Sequence, residues 1–287
     1  MSRKLSQKHI NAYLNGIFQK LFKGIKEDPE LSLEIRKDDE AMVYYRKGKI
    51  LTTGMRKEQP YIKMLDKQYY KDKKAPSVDI ENLGNIGNIT SIRRYFKEAK
   101  KLVYEYQKGR EFETQQNITL GNSSFNNRYL VVDMEWQFSQ AGVKPEDQIP
   151  KTRIDLIIVD TKLNVKGFND IYLAELKVGI DSINGNSGIL DHANKIYKII
   201  NNNRACNDLI KDVKTIINQK KELGLISGQH NDLNYALCPK MMFILAYRNE
   251  TEKKIFEDEF GKVKCRANEQ NMAEPMLILH NTLIELK

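Results

Sequence analysis

The chain has 287 residues, 40% of them hydrophobic and 30% charged, a formal net charge of +9 and a mean hydropathy of -0.58. That length can bury a sizeable core as one large domain or two smaller ones, and no apolar run approaches the ~20 residues of a membrane helix. The basic, amphipathic "MSRKLSQKHINAYLNGIFQKLF" lacks the apolar core and cleavage site of a secretory signal, so a cytoplasmic location is expected, and Cys206, Cys238 and Cys265 have no spacing that suggests a disulfide framework or a zinc site.

The charge is uneven along the chain. Residues 1–110 hold 25 Lys and Arg against 14 Asp and Glu, whereas residues 111–287 hold 22 against 24. A basic surplus confined to one end suits a polyanion such as nucleic acid, whose binding draws on phosphate neutralisation, and it equally suits a solvated lysine-rich surface.

In chain order, Ile10, Tyr13, Leu14, Ile17, Phe18, Leu21, Phe22 and Ile25 recur at helical spacing after Ser6, a good N-cap, and predict one amphipathic helix over 7–26 that ends before Pro29. "LSLEIR", "AMVYY" and "KILTTG" predict short strands, the last two joined across "RKGK" as a hairpin. The polar stretch 67–88 reads as a linker or excursion, which places a domain boundary near residue 88. The expected organisation is a basic α+β unit over 1–88, for nucleic-acid binding or oligomerisation, and a second domain over 89–287.

The second block opens with a helix over 91–108, whose stripe of Ile92, Tyr95, Phe96, Ala99, Leu102, Val103 and Tyr106 reads as packing rather than base stacking. Three strands follow, in "RYLVVDMEWQFS", "TRIDLIIVD" and "IYLAELKV", forming an antiparallel meander; the first has a polar-leaning face of Val131, Asp133, Glu135 and Gln137. A helix over 188–202, a second helix carrying Leu209 to Ile217, and strands in "MMFILAYR" and "PMLILH" complete the order.

The pattern E-x-K recurs in this charged chain, at Glu98, Glu252 and Glu285, but only Glu175-Leu176-Lys177 lies inside an apolar strand. Alternation puts Leu173, Glu175 and Lys177 on one face. On the preceding strand it puts Asp155 with Arg153 and Ile157. Antiparallel pairing would bring Asp155 beside Glu175 and Lys177. Two converging carboxylates repel unless a cation compensates them, and with no Cys or His cluster nearby their hard oxygens suit Mg²⁺ or Mn²⁺.

"RIDLIIVD" followed by "LAELKVG", with a helix and strand before and a helix after, resembles the PD-(D/E)XK, or restriction-endonuclease-like, nuclease superfamily over about residues 90–250. The resemblance implies an α/β fold of α+β mixed-sheet type, with an αβββαβ core and the small N-terminal unit attached. It implies that Asp155, Glu175 and the Leu176 carbonyl hold a metal and that Lys177 positions the attacking water. Pro150 stands five residues before Asp155 rather than next to it, a departure from the family pattern. Glu135 is a candidate further ligand, and His192 and Lys195, one turn apart on the next helix, are candidate phosphate contacts, against the alternative of exposed surface groups. Glu98 and Asp133 are weaker candidates.

The function so implied is a metal-dependent nuclease, acting on DNA more readily than RNA, as in restriction or phage defence, with a homodimer suited to a double-strand cut. Two other classes stay open: a nucleic-acid-binding protein on a catalytically silent nuclease fold, and an oligomeric partner-binding protein. No phosphate loop, H-E-x-x-H or G-x-S-x-G occurs to favour another chemistry.

Overall fold

The computed structural model describes residues 3–71, 73–138, 148, 152–183, 188–228, 233–269 and 272–281. They form a mixed α and β protein of two sheets and, among the described residues, seven α-helices. The chain divides into two compact units, Met1–Ser124 with Asp212–Gly228, and Phe125–Lys211 with Gln229–Lys287. No described helix is long and apolar enough to cross a membrane.

In the first unit, Ser6 caps α1 (Gln7–Leu14) by accepting the His9 N–H. The helix expected over 7–26 is two helices, because Asn15 and Gly16, both weak helix formers, end α1 before α2 (Gln19–Glu27) begins. The Phe18 N–H reaches back to the Ala12 carbonyl, and a Cβ on Gly16 would stand 2.9 Å from the Ala12 Cα. This tight turn brings Phe18 against His9 and Tyr13.

Four antiparallel strands follow as a meander, β1 (Ser32–Ile35), β2 (Glu40–Tyr45), β3 (Gly48–Arg56) and β4 (Gln59–Lys63). The expected hairpin forms with Arg46 and Lys47 both at positive φ, the geometry that matches strand twist in a two-residue turn.

The stretch read as a linker is packed into this unit: Tyr69, Ile80 and Ile86 are buried among its charges. Glu98 accepts from the Ser77 N–H and hydroxyl. Helix α3 (Ile89–Tyr106), expected to open the second block, also lies in the first unit. Its Tyr95 hydroxyl donates to the Ile50 carbonyl and accepts the Leu65 N–H, at 2.5 and 2.8 Å. The break in composition near residue 88 is therefore not the break in contacts, because the apolar stripe of α3 packs on β3. Tyr106 departs from the packing expectation, being 56% exposed. Helix α4 (Arg110–Gly121) completes the run.

The second unit is built on a five-stranded sheet of order β5-β6-β7-β8-β9, with β5 (Tyr129–Trp136), β6 (Ile154–Leu163), β7 (Asn169–Val178), β8 (Lys240–Tyr247) and β9 (Met276–Asn281). The first three form the expected antiparallel meander, and β8 and β9 run parallel to β7. Between the strands come α5 (Ile189–Ile200), the part of α6 (Asn203–Glu222) up to Lys211, and α7 (Glu250–Glu269). The central strands are buried along nearly their whole length, which requires cover on both faces. Helices α5 and α7 pack against each other and against β8. Ile189, Ala193, Ile196 and Tyr197 of α5 point inward.

One expectation fails inside β5. Val131 pairs with Ile158 but Asp133 with Ile157, so Val132 is an extra residue that breaks the alternation. Val131 and Asp133 thus fall on opposite faces, and Asp133 joins the Arg153, Asp155 and Ile157 row.

Candidate functional site

The site lies where β6 and β7 part. Their ladder runs through Ile157↔Leu173 to Leu156↔Ala174, while β7 continues to Val178. Beyond the last pair, the Leu176 N–H is satisfied by a side chain instead of a ladder carbonyl: Asp155 Oδ2 accepts it at 3.0 Å. Asp155 is buried and stands beside the strand that carries Glu175 and Lys177, as the alternation of both strands requires. The N–H and C=O of one strand residue point to the same side, so the Leu176 carbonyl also faces Asp155.

Glu175 is only 2% exposed. Its Oε1 receives two groups, Lys177 Nζ at 2.9 Å and His192 Nδ1 at 2.8 Å. Its Oε2 is buried and has no hydrogen-bond partner among the described residues. Leaving a buried acceptor unsatisfied costs about 1–3 kcal/mol, and more for a charged one. Lys177 is itself buried, so the pair is a desolvated one whose Coulomb attraction must offset a large solvation loss.

The remaining candidates divide. His192, in the first turn of α5, is brought to the cluster, a position that the sixteen residues between it and Glu175 and an unassigned helix orientation hide in the sequence. Lys195 instead pairs with Asp191 at 2.6 Å. Glu135 lies between the pairs Met134↔Leu156 and Trp136↔Ile154, level with Asp155. It adopts a positive φ of 58° and is held by Arg153 Nη1 at 2.8 Å. A non-glycine residue in this region stores strain of order 1–3 kcal/mol. Glu98 is engaged by Ser77 and Arg94 in the first unit, and Asp133 accepts the Met134 N–H. Pro150 lies outside the described residues.

Among the described residues no group of three or more His, Cys, Asp or Glu side chains could hold a metal ion. What the site offers is two carboxylates on adjacent strands, one with an unmatched oxygen, and a backbone carbonyl on the same side. Such a hard-oxygen set leaves the rest of a coordination shell to water, which suits the reluctance of Mg²⁺ to dehydrate. No protein-family model, curated protein or solved structure matches this chain.

Proposed function

We propose that the second unit is a restriction-endonuclease-like domain and that the protein is a Mg²⁺- or Mn²⁺-dependent nuclease acting in the cytoplasm, with DNA its preferred substrate. The observation that carries this reading is the Oε2 of buried Glu175 beside Asp155, which has no hydrogen-bond partner among the described residues. The order of a β-meander followed by helix and parallel strand, with E-x-K on the third strand of the sheet, supports it.

Asp155, Glu175 through Oε2, and the Leu176 carbonyl would hold the ion. A divalent ion there supplies charge neutralisation at a phosphate and acidifies water. The chain's own residues do the rest. Lys177 keeps its ammonium beside Glu175 on the same strand face, where it orients the attacking water and faces a scissile phosphate. Its part is that of a positioned cation and not of a proton acceptor. Water adds to phosphorus, the P–O bond to the departing sugar oxygen breaks, and that oxygen takes up a proton. The surplus of Lys and Arg in residues 1–110 supplies sequence-independent attraction for the phosphate backbone.

The test is incubation of wild type and Asp155→Ala with plasmid, linear duplex, single-stranded DNA and RNA, each with Mg²⁺, Mn²⁺ or EDTA. Metal-dependent cleavage that is lost in the variant is expected. Cleavage that persists in the variant, or in EDTA, would sink the assignment. Salt-sensitive binding without cleavage, shared by both proteins, would move the protein to the class of nucleic-acid binders.

A further inference from the structure

We propose that His192 is a positioning residue that fixes which oxygen of Glu175 faces the cation, so that Glu175 serves as a one-oxygen ligand. The proposal rests on the nuclease reading and deepens it. His192 Nδ1 and Lys177 Nζ approach the same atom, Oε1, at 2.8 and 2.9 Å, from α5 and from β7 itself. Two donors on one oxygen pin the carboxylate plane and leave Oε2 open, buried and without a partner among the described residues.

The two donors are not redundant. Lys177 sits two residues along the same strand on a long flexible stem, and its charge is also the one placed to meet a phosphate. Drawn toward substrate, it would release Oε1, and a carboxylate held by nothing else would be free to rotate. An imidazole has a shorter stem, and the helix that carries it is anchored through buried Ile189, Ala193 and Ile196, so it follows less readily. To donate to a carboxylate, Nδ1 must carry the proton, so the contact also fixes the tautomer. Partners that hold a ligating group in this way typically change metal affinity or activity about 10–100-fold when removed.

Four variants and one spectroscopic observation test the assignment. Mn²⁺ binding, read by electron paramagnetic resonance or calorimetry in the absence of nucleic acid, should show one ion per chain in the wild type. His192→Leu should weaken that affinity about tenfold or more, while His192→Asn, whose amide nitrogen occupies the place of Nδ1, should stay within about threefold. Lys177→Ala should still bind Mn²⁺ with His192 in place, whereas the double variant Lys177→Ala/His192→Leu should bind more weakly than either single one.

Long-range ¹H–¹⁵N correlation on the folded wild type should show Nδ1 protonated, a readout that does not depend on any variant folding. Wild-type affinity in His192→Leu, or a bare Nδ1 in the wild type, would overturn the positioning role and leave the nuclease reading intact. A wild type that binds no Mn²⁺ and cleaves nothing would overturn both. Loss in His192→Asn equal to that in His192→Leu would show that the ring matters for packing and not for its donor.

Discussion

Each unit sets a histidine against a carboxylate, fully buried in the first and half-buried in the second, and the two networks end differently. In the first unit His9 is fully buried. Its Nδ1 meets the Asp39 carbonyl and carboxylate at 3.0 and 3.2 Å, and its Nε2 meets the Thr53 hydroxyl at 3.1 Å. Thr53 in turn bonds the Tyr13 hydroxyl. Asp39 also accepts the Ser6 N–H, and Ser6 caps the helix that carries His9. The chain of bonds closes on itself and ties α1 to the β2 and β3 region. In the second unit His192 and Lys177 share one oxygen of Glu175, and the other has no partner among the described residues. A closed buried network adds rigidity and specificity. One that leaves a charged oxygen exposed to nothing retains an energetic deficit that a ligand can repair. The same residue types therefore read as a staple in one unit and as a site in the other.

The largest effect that sharpens this contrast is on cleavage. Lys177→Ala should lower the single-turnover rate by about 10²–10³-fold, the size seen when one positioned group at a developing charge is removed. Its nucleic-acid affinity, measured by filter binding, should change by no more than about threefold, because phosphate contacts spread over a basic surface dominate affinity. A rate close to wild type would remove Lys177 from the chemistry.

A cation should next show itself in stability. At a hundredfold excess over its Kd, Mg²⁺ or Mn²⁺ should stabilise the folded chain by about 2.7 kcal/mol. The rise in Tm should be absent in Asp155→Ala. An equal rise in both proteins would mean that the ion binds elsewhere.

The closed network predicts the reverse pattern. Thr53→Val keeps the shape of the side chain but strips the His9 Nε2 and Tyr13 hydroxyl of their shared partner, so it should cost about 1–3 kcal/mol in thermal or urea unfolding. The metal-dependent shift in Tm should be unchanged. A variant as stable as wild type would show that the His9 network is dispensable and would break the comparison from the other side.

The sequence carried the juxtaposition of Asp155, Glu175 and Lys177 better than it carried the fold around it. Asp155, Glu175 and Lys177 were legible because period-2 alternation holds through the regular parts of β6 and β7. The same rule misled at β5, where an extra residue at Val132 leaves no mark in the composition. Helix α4 was invisible for a different reason: the residues it buries are Gln115, Gln116 and Thr119, with Gln116 bonding the Glu30 carbonyl and the Ser32 hydroxyl. Hydrophobic periodicity cannot report a helix that packs through amides. Strand β4 was hidden by Pro60 and by a turn at Lys57 and Glu58, which take positive φ without glycine or asparagine. By contrast, α7 was there to be read, since Phe256, Phe260, Val263 and Ala267 follow helical spacing.

The smallest effect expected is also the one whose sign divides two physical causes. Burial pushes the His9 imidazole below its ordinary value near 6.5, while Asp39, by charge and by hydrogen bonds, and Glu40, by charge, pull it back up. Thr53 and Tyr13, which pack against the ring, carry no charge near neutrality. With burial the stronger influence, the folded chain keeps His9 neutral where the unfolded chain takes up a proton. Above pH 6.5 both states are neutral and nothing is lost. Below it the unfolded state binds the extra proton, so stability falls with pH until the folded-state value is passed. The slope is at most about 1.4 kcal/mol per pH unit. His9→Gln, which cannot titrate, should lose less Tm than wild type between pH 7.5 and 5, the remaining loss in both belonging to carboxylates. If instead the wild type were the more acid-resistant of the two, Asp39 would outweigh burial, and the network would be an ion pair and not a neutral staple.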